Sequence, residues 1–111
     1  MSQPSTVTSE SAPARNPAVQ RCCAARDLAR AECRARNAEK YETQQRGGEA
    51  YRNALPDLAG YENIRDFVAC ISHGLLTGDI SPINSPQFLY AAQVAISALR
   101  LEPKEKKQSP A

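Results

Sequence analysis

Apolar positions along this chain follow helical periods, and they are distributed unevenly. Ile64, Phe67, Val68, Ile71 and Leu75 recur at the i, i+3, i+4, i+7 and i+11 spacing of one helical face, which predicts a central core helix over 61–77. Gly78 suits a left-handed cap at its end, and Ile80 is the apolar residue expected beyond such a cap. Ile80 and Ile83 should both tuck back onto the core. Ser85-Pro86 then supplies an N-cap and a first-turn proline in the expected order, predicting a final helix over 86–101 that Glu102-Pro103 stops. Phe88, Leu89, Ala92, Ala95, Ile96 and Leu99 form one broad face of it, with Val94, Ala98 and Leu101 partly around the other side. So wide an apolar surface implies one of two arrangements. Either this helix is sandwiched between the central and N-terminal helices, or its second face meets a partner.

The first half reads differently. Residues 18–41 are dominated by Ala, Arg and Glu, all strong helix formers, behind an Asn16-Pro17 start signal. One long helix is therefore expected over 17–46. Gln44-Gln45-Arg46-Gly47-Gly48 is its natural break, because each glycine costs about 1 kcal/mol inside a helix relative to Ala. A short helix over 49–55 then stops at Pro56. Among large aliphatics and Phe, residues 17–54 hold Val19 and Leu28 alone, whereas residues 55–101 hold sixteen. The second half should thus be the core, with the first helix laid against it or against another chain.

No alternating run of strand length, hairpin turn or internal repeat is present, so the fold class is all-α. The expected architecture is a small helical bundle of three main helices plus one short helix. Residues 1–16 and 102–111 lack the apolar content to offset their ordering entropy and are expected as disordered tails.

With Asn63-Ile-Arg-Asp-Phe67, Cys70-x-x-His73-Gly74 and Tyr90-Ala-Ala-Gln-Val94, residues of about 51–101 resemble a group of short uncharacterised bacterial helical proteins that carry a similar Asn-Ile-Arg-Asp-Phe helix. The resemblance covers less than half of the chain. It implies a small bacterial helical protein, and no activity.

Net charge is +2, which names no partner, but its distribution does more. Residues 17–46 carry seven basic and four acidic side chains, and residues 47–101 carry three and five. Arg26, Arg30 and Arg34 make a basic stripe at i, i+4, i+8, a candidate phosphate-contacting row. Interleaved Asp27, Glu32, Glu39 and Glu42 equally describe an ordinary solvated helix. Few aromatics are available to stack on single-stranded nucleic acid.

Four cysteines and a polar opening, Met-Ser-Gln-Pro-Ser-Thr, without a signal-peptide pattern place the chain in a reducing cytoplasm with its thiols unbridged. No run is long and apolar enough for a membrane span. Asp66, Cys70 and His73 fall at i, i+4 and i+7 on what reads as the polar side of the central helix. These residue types serve as metal ligands or as a nucleophile with its base. Cys70 and His73 are the metal candidates, yet Cys22, Cys23 and Cys33 lack the paired spacing that would complete a zinc site. No oxyanion-forming loop or orienting third group marks an enzyme, and no cofactor or small-molecule substrate is implied.

Ala18, Cys22, Ala25, Ala29 and Cys33 project to one side of the first helix, a small-residue face that permits close approach of another helix. This is the expected interaction face, serving a protein partner or a homodimer, with packing on the final helix as the intramolecular alternative. The functional expectation is a non-enzymatic interaction or adaptor protein. A nucleic-acid-binding accessory protein using the Arg stripe is the alternative, and a metal- or thiol-dependent protein centred on Cys70 and His73 the third reading.

Overall fold

The structure, a computed structural model, describes the backbone of residues 16–108 and the side chains of residues 16–101. It is all-α. Among the described residues there are four helices, α1 (Pro17–Ala35), α2 (Lys40–Asn53), α3 (Tyr61–Thr77) and α4 (Ser85–Gln108), and no strand. Of the two expected tails, residues 1–15 and 109–111 lie outside the described residues.

The α1 start follows the sequence signal. Asn16 Oδ1 accepts from the Ala18 and Val19 N–H groups at 2.7 and 3.3 Å, and Pro17 occupies the first turn, where no donor is lost. The end of α1 does not follow the expectation of one helix over 17–46. The chain turns at Arg36–Glu39, where Asn37 takes a left-handed φ of 59°. The Ala38 N–H reaches back to the Cys33 carbonyl (2.9 Å) and the Asn37 N–H to that of Arg34 (3.0 Å). These are the paired bonds of a Schellman ending, with Asn in the place glycine usually holds.

Gly47 and Gly48, read as a break, are buried inside α2 instead, which replaces the expected short 49–55 helix with a 14-residue one. Tertiary packing explains why glycine is tolerated there. A Cβ on Gly47 would sit 2.7 Å from Arg30 Nε and 2.9 Å from Arg30 Cγ, so the bare backbone lets the arginine stems of α1 cross α2 closely. The propensity cost is real but local, and close packing of the α1–α2 hairpin offsets it.

The first half therefore packs chiefly on itself. α1 packs along α2 and also against α3, while α3 packs against α4. The core spans both halves: Ala18, Val19, Cys22 and Tyr51 bury with Ile64, Phe67, Cys70, Ile71, Ile80 and Ala92. Tyr51 is fully enclosed, and its hydroxyl donates to the Cys70 carbonyl at 2.6 Å, so its polar end is satisfied. Gly74 on α3 leaves the space that the Tyr51 ring and the Ile80 side chain fill; a Cβ there would collide with both.

α3 itself has the predicted bounds, and Gly78 ends it with a φ of 84°. Ile80 is buried and its N–H donates to the Gly74 carbonyl, but Ile83 points to solvent, 84% exposed, contrary to expectation. α4 continues past Glu102-Pro103 to Gln108. Its inner residues Ala92, Ala95, Ile96 and Leu99 join the core cluster, and the Phe88 ring meets Phe67 at 6.2 Å in a tilted pair.

Candidate functional site

The expected interaction face on α1 is occupied within the chain. Ala18, Cys22 and Cys33 are buried and Ala25 and Ala29 half-buried, because this side of α1 seats on α2 and α3 rather than on α4 or on a second molecule. Small residues do permit the close approach anticipated, but the helices that use it belong to the same protomer.

The Arg stripe divides. Arg26 and Arg30 turn inward toward Asp79, whose carboxylate is 2% exposed. Arg26 Nη1 donates to Asp79 Oδ2 at 3.0 Å, Arg30 Nη2 lies 3.7 Å from Oδ1, and Thr77 Oγ1 donates to Oδ2 at 2.6 Å. Arg52 adds a bond to the Asp79 carbonyl at 2.9 Å. Burial disfavours the Arg26 charge, but its hydrogen bonds to Asp27 and Asp79 more than offset this and hold the guanidinium above its ordinary pKa. Two of the three candidate phosphate contacts are thus committed to a buried carboxylate. Sequence reasoning missed Asp79; the basic excess of residues 17–46 against the acidic excess of residues 47–101 was the signal that an acid of the second half answers these arginines.

Arg34 remains exposed. With Arg30, Lys40, Thr43 and Gln44 it lines a cleft of about 370 Å³ on one flank of the α1–α2 hairpin. The opposite flank has its cations answered: Arg36 pairs with Glu42, and Arg46 with Glu42 and Glu49.

Asp66, Cys70 and His73 do not converge. Asp66 accepts from Asn16 Nδ2 at 2.8 Å, a bond that with Arg65 holds its carboxyl below the usual range. Cys70, placed on the polar side of α3 by sequence, is instead fully buried, its Sγ 3.8 Å from Cys22 Sγ. α3 is covered on two sides, by α1 with α2 and by α4, so a residue off its main apolar face can still face protein. His73 is half-buried and already engaged within the fold. Among the described residues no group of three or more His, Cys, Asp or Glu side chains is arranged to hold a metal ion.

The large uncovered apolar surface lies at the other end of the bundle. A groove of about 670 Å³ runs between α3 and α4, lined by Tyr61, Ile64, Val68 and Ile96 with Glu62 and Arg65 at its rim. Beside it α4 presents Tyr90, Val94 and Leu101, which are 67%, 50% and 61% exposed and recur near one helical face. Ile96 borders both the groove and the smaller depression next to this stripe, so the two form one continuous surface. Of the two arrangements anticipated for the final helix, the sandwich is not what forms: α1 lies on α2 and α3, and the outer face of α4 is open.

No described helix is long and apolar enough to cross a membrane. No protein-family model, curated protein or solved structure matches this chain.

Proposed function

We propose that this chain is a non-enzymatic, cytoplasmic bacterial interaction module that works by pairing with a second copy of itself through α3 and α4. The observation that carries this reading is the exposed Tyr90, Val94 and Leu101 stripe on a helix whose inner face is already packed. Ridge and groove lie side by side, so a two-fold arrangement lets the α4 stripe of each protomer enter the Tyr61, Val68 and Ile96 groove of the other. Together with Tyr61 the stripe offers on the order of 400 Å² of apolar surface, about the apolar share of the ~800 Å² each partner gives to a standard interface. Sedimentation or light scattering of the full chain at micromolar concentrations should give a dimer, and Val94→Glu should give a folded monomer. A wild-type protein that stays monomeric at several hundred micromolar removes the reading.

A second reading, phosphate contact by nucleic acid, is supported by the asymmetry of the hairpin flanks. Arg34 and Lys40 line the cleft with no acidic partner among the described residues, whereas the cations across the hairpin are all paired. Duplex DNA binding that weakens steeply with salt and is lost in Arg34→Ala/Lys40→Ala would support it; the absence of binding at low salt would not.

A further inference from the structure

We propose that Cys22 and Cys70 are a disulfide-forming pair, a modification site through which a small-molecule disulfide locks α1 onto α3. Neither residue is used by the proposed self-association, and nothing in that surface depends on them. Their Sγ atoms touch at 3.8 Å although they come from different helices 48 residues apart. Both are fully enclosed, in the core cluster that also holds Tyr51, whose hydroxyl donates to the Cys70 carbonyl. A disulfide needs the sulfurs to close by less than 2 Å, a change within reach of side-chain rotation and a small helix shift. The other two thiols are not so placed: Cys23 is half-buried on the adjoining side of α1, and Cys33 is buried against α2, where Arg36 Nη2 lies 3.6 Å from its sulfur.

Burial sets how the reaction runs. Desolvation pushes both thiols up, so neither is a nucleophile while the helices are closed. The seat of α1 on α3 is made by Ala18, Val19 and Cys22, with the Asn16 to Asp66 bond at one end and the Arg26 to Asp79 pair, just past the end of α3, at the other. Such a contact opens at lower free energy than the whole fold. In the opened state the Cys22 or Cys70 thiolate attacks the small disulfide, whose S–S bond breaks and releases one small thiolate. The second cysteine's thiolate then attacks the protein sulfur of the mixed disulfide, forming the Cys22–Cys70 bond and releasing the second small thiolate. The two protein thiols are oxidised, the small disulfide is reduced to two thiols, and the two protons end on those products. Closure then re-buries a bond that the open state made.

The test uses the full chain with oxidised glutathione as probe. Intact mass should show the loss of two hydrogens without a retained adduct, faster in mild urea, and the product should stay monomeric on a denaturing, non-reducing gel. Because Cys22 and Cys23 share one tryptic peptide, the linkage is mapped in Cys23→Ser, where the Cys22 peptide should remain joined to that of Cys70. Closing a loop of this length should raise the melting temperature by roughly 10 °C, reversibly with reductant. A Cys22 peptide joined to that of Cys33 in the Cys23→Ser map, a wild-type digest in which the Cys22–Cys23 peptide has lost two hydrogens while Cys70 stays free, stable glutathione adducts, links between chains, or no oxidation even in mild urea overturns the proposal. These outcomes need no buried-cysteine variant to fold, and they are independent of whether the protein dimerises.

Discussion

Replacing Asp79 with alanine should cost about 3 kcal/mol of folding stability, an estimate within the roughly 3–5 kcal/mol measured when one partner of a buried ion pair is removed. Arg26 and Arg30 are 15% and 28% exposed, and Arg26 keeps a contact with Asp27 at 3.0 Å, which together place the loss at the lower end. The same change strips the Thr77 hydroxyl of its 2.6 Å acceptor, while the main-chain carbonyl that Arg52 uses survives. A folded unit of this size has a total stability of roughly 4–13 kcal/mol, so the loss is about a fifth of it or more. Urea unfolding followed by far-UV circular dichroism measures this directly, with an unchanged slope confirming that stability rather than compactness has moved. The exposed pairs of Glu42 with Arg36 and Arg46 provide the internal contrast, since Glu42→Ala should cost under ~0.5 kcal/mol. An Asp79→Ala loss below about 1 kcal/mol, or one that vanishes in molar salt as a solvent-screened pair would, refutes the buried-cluster account.

Asn37→Ala should destabilise by about 1 kcal/mol, because a Cβ without a compensating polar group is disfavoured at φ 59°, while Asn37→Gly should be near neutral; urea midpoints of the two separate the effect of the left-handed turn from side-chain loss. At alkaline pH the buried thiol becomes a liability. Cys22 is raised by desolvation, and then by Cys70, from 9.0 to about 12, and burial also raises Tyr51. A raised group contributes its full stability below the unfolded pKa, so urea midpoints should fall as pH rises from about 9 toward 12, where the unfolded chain binds fewer protons than the folded one. Cys22→Ala should flatten that fall, and an equal slope in the variant would assign it elsewhere.

The surface read here as a dimer interface was half visible from the residue pattern. The excess apolar width of the final helix announced a second contact, but whether α1 or another molecule covered it depended on where α1 went. That in turn hinged on four residues. Arg36-Asn37-Ala38-Glu39 ends α1 early enough for α2 to fold back along it, which draws the small-residue face of α1 into the hairpin and leaves Tyr90, Val94 and Leu101 outside. Asn37 was a legible signal, since Asn is the usual substitute for glycine at this cap, but the adjacent glycines ten residues later were the louder one. The disulfide-forming pair was not legible at all, because two cysteines 48 residues apart carry no spacing rule.

Local chemistry along the chain sufficed for the all-α class, the start of α1 at Asn16-Pro17 and both ends of α3, because caps, helix propensity and apolar period act between residues a few positions apart. Tertiary structure alone decided that Gly47 and Gly48 lie within a helix, that Cys70 faces sulfur and not solvent, and that Arg26 and Arg30 answer Asp79. Each of those outcomes depends on what lies across a helix interface. Glycine's local cost yields there to close approach of arginine stems, and a charged stripe that would suit water instead follows a buried carboxylate supplied from 49 or more positions away.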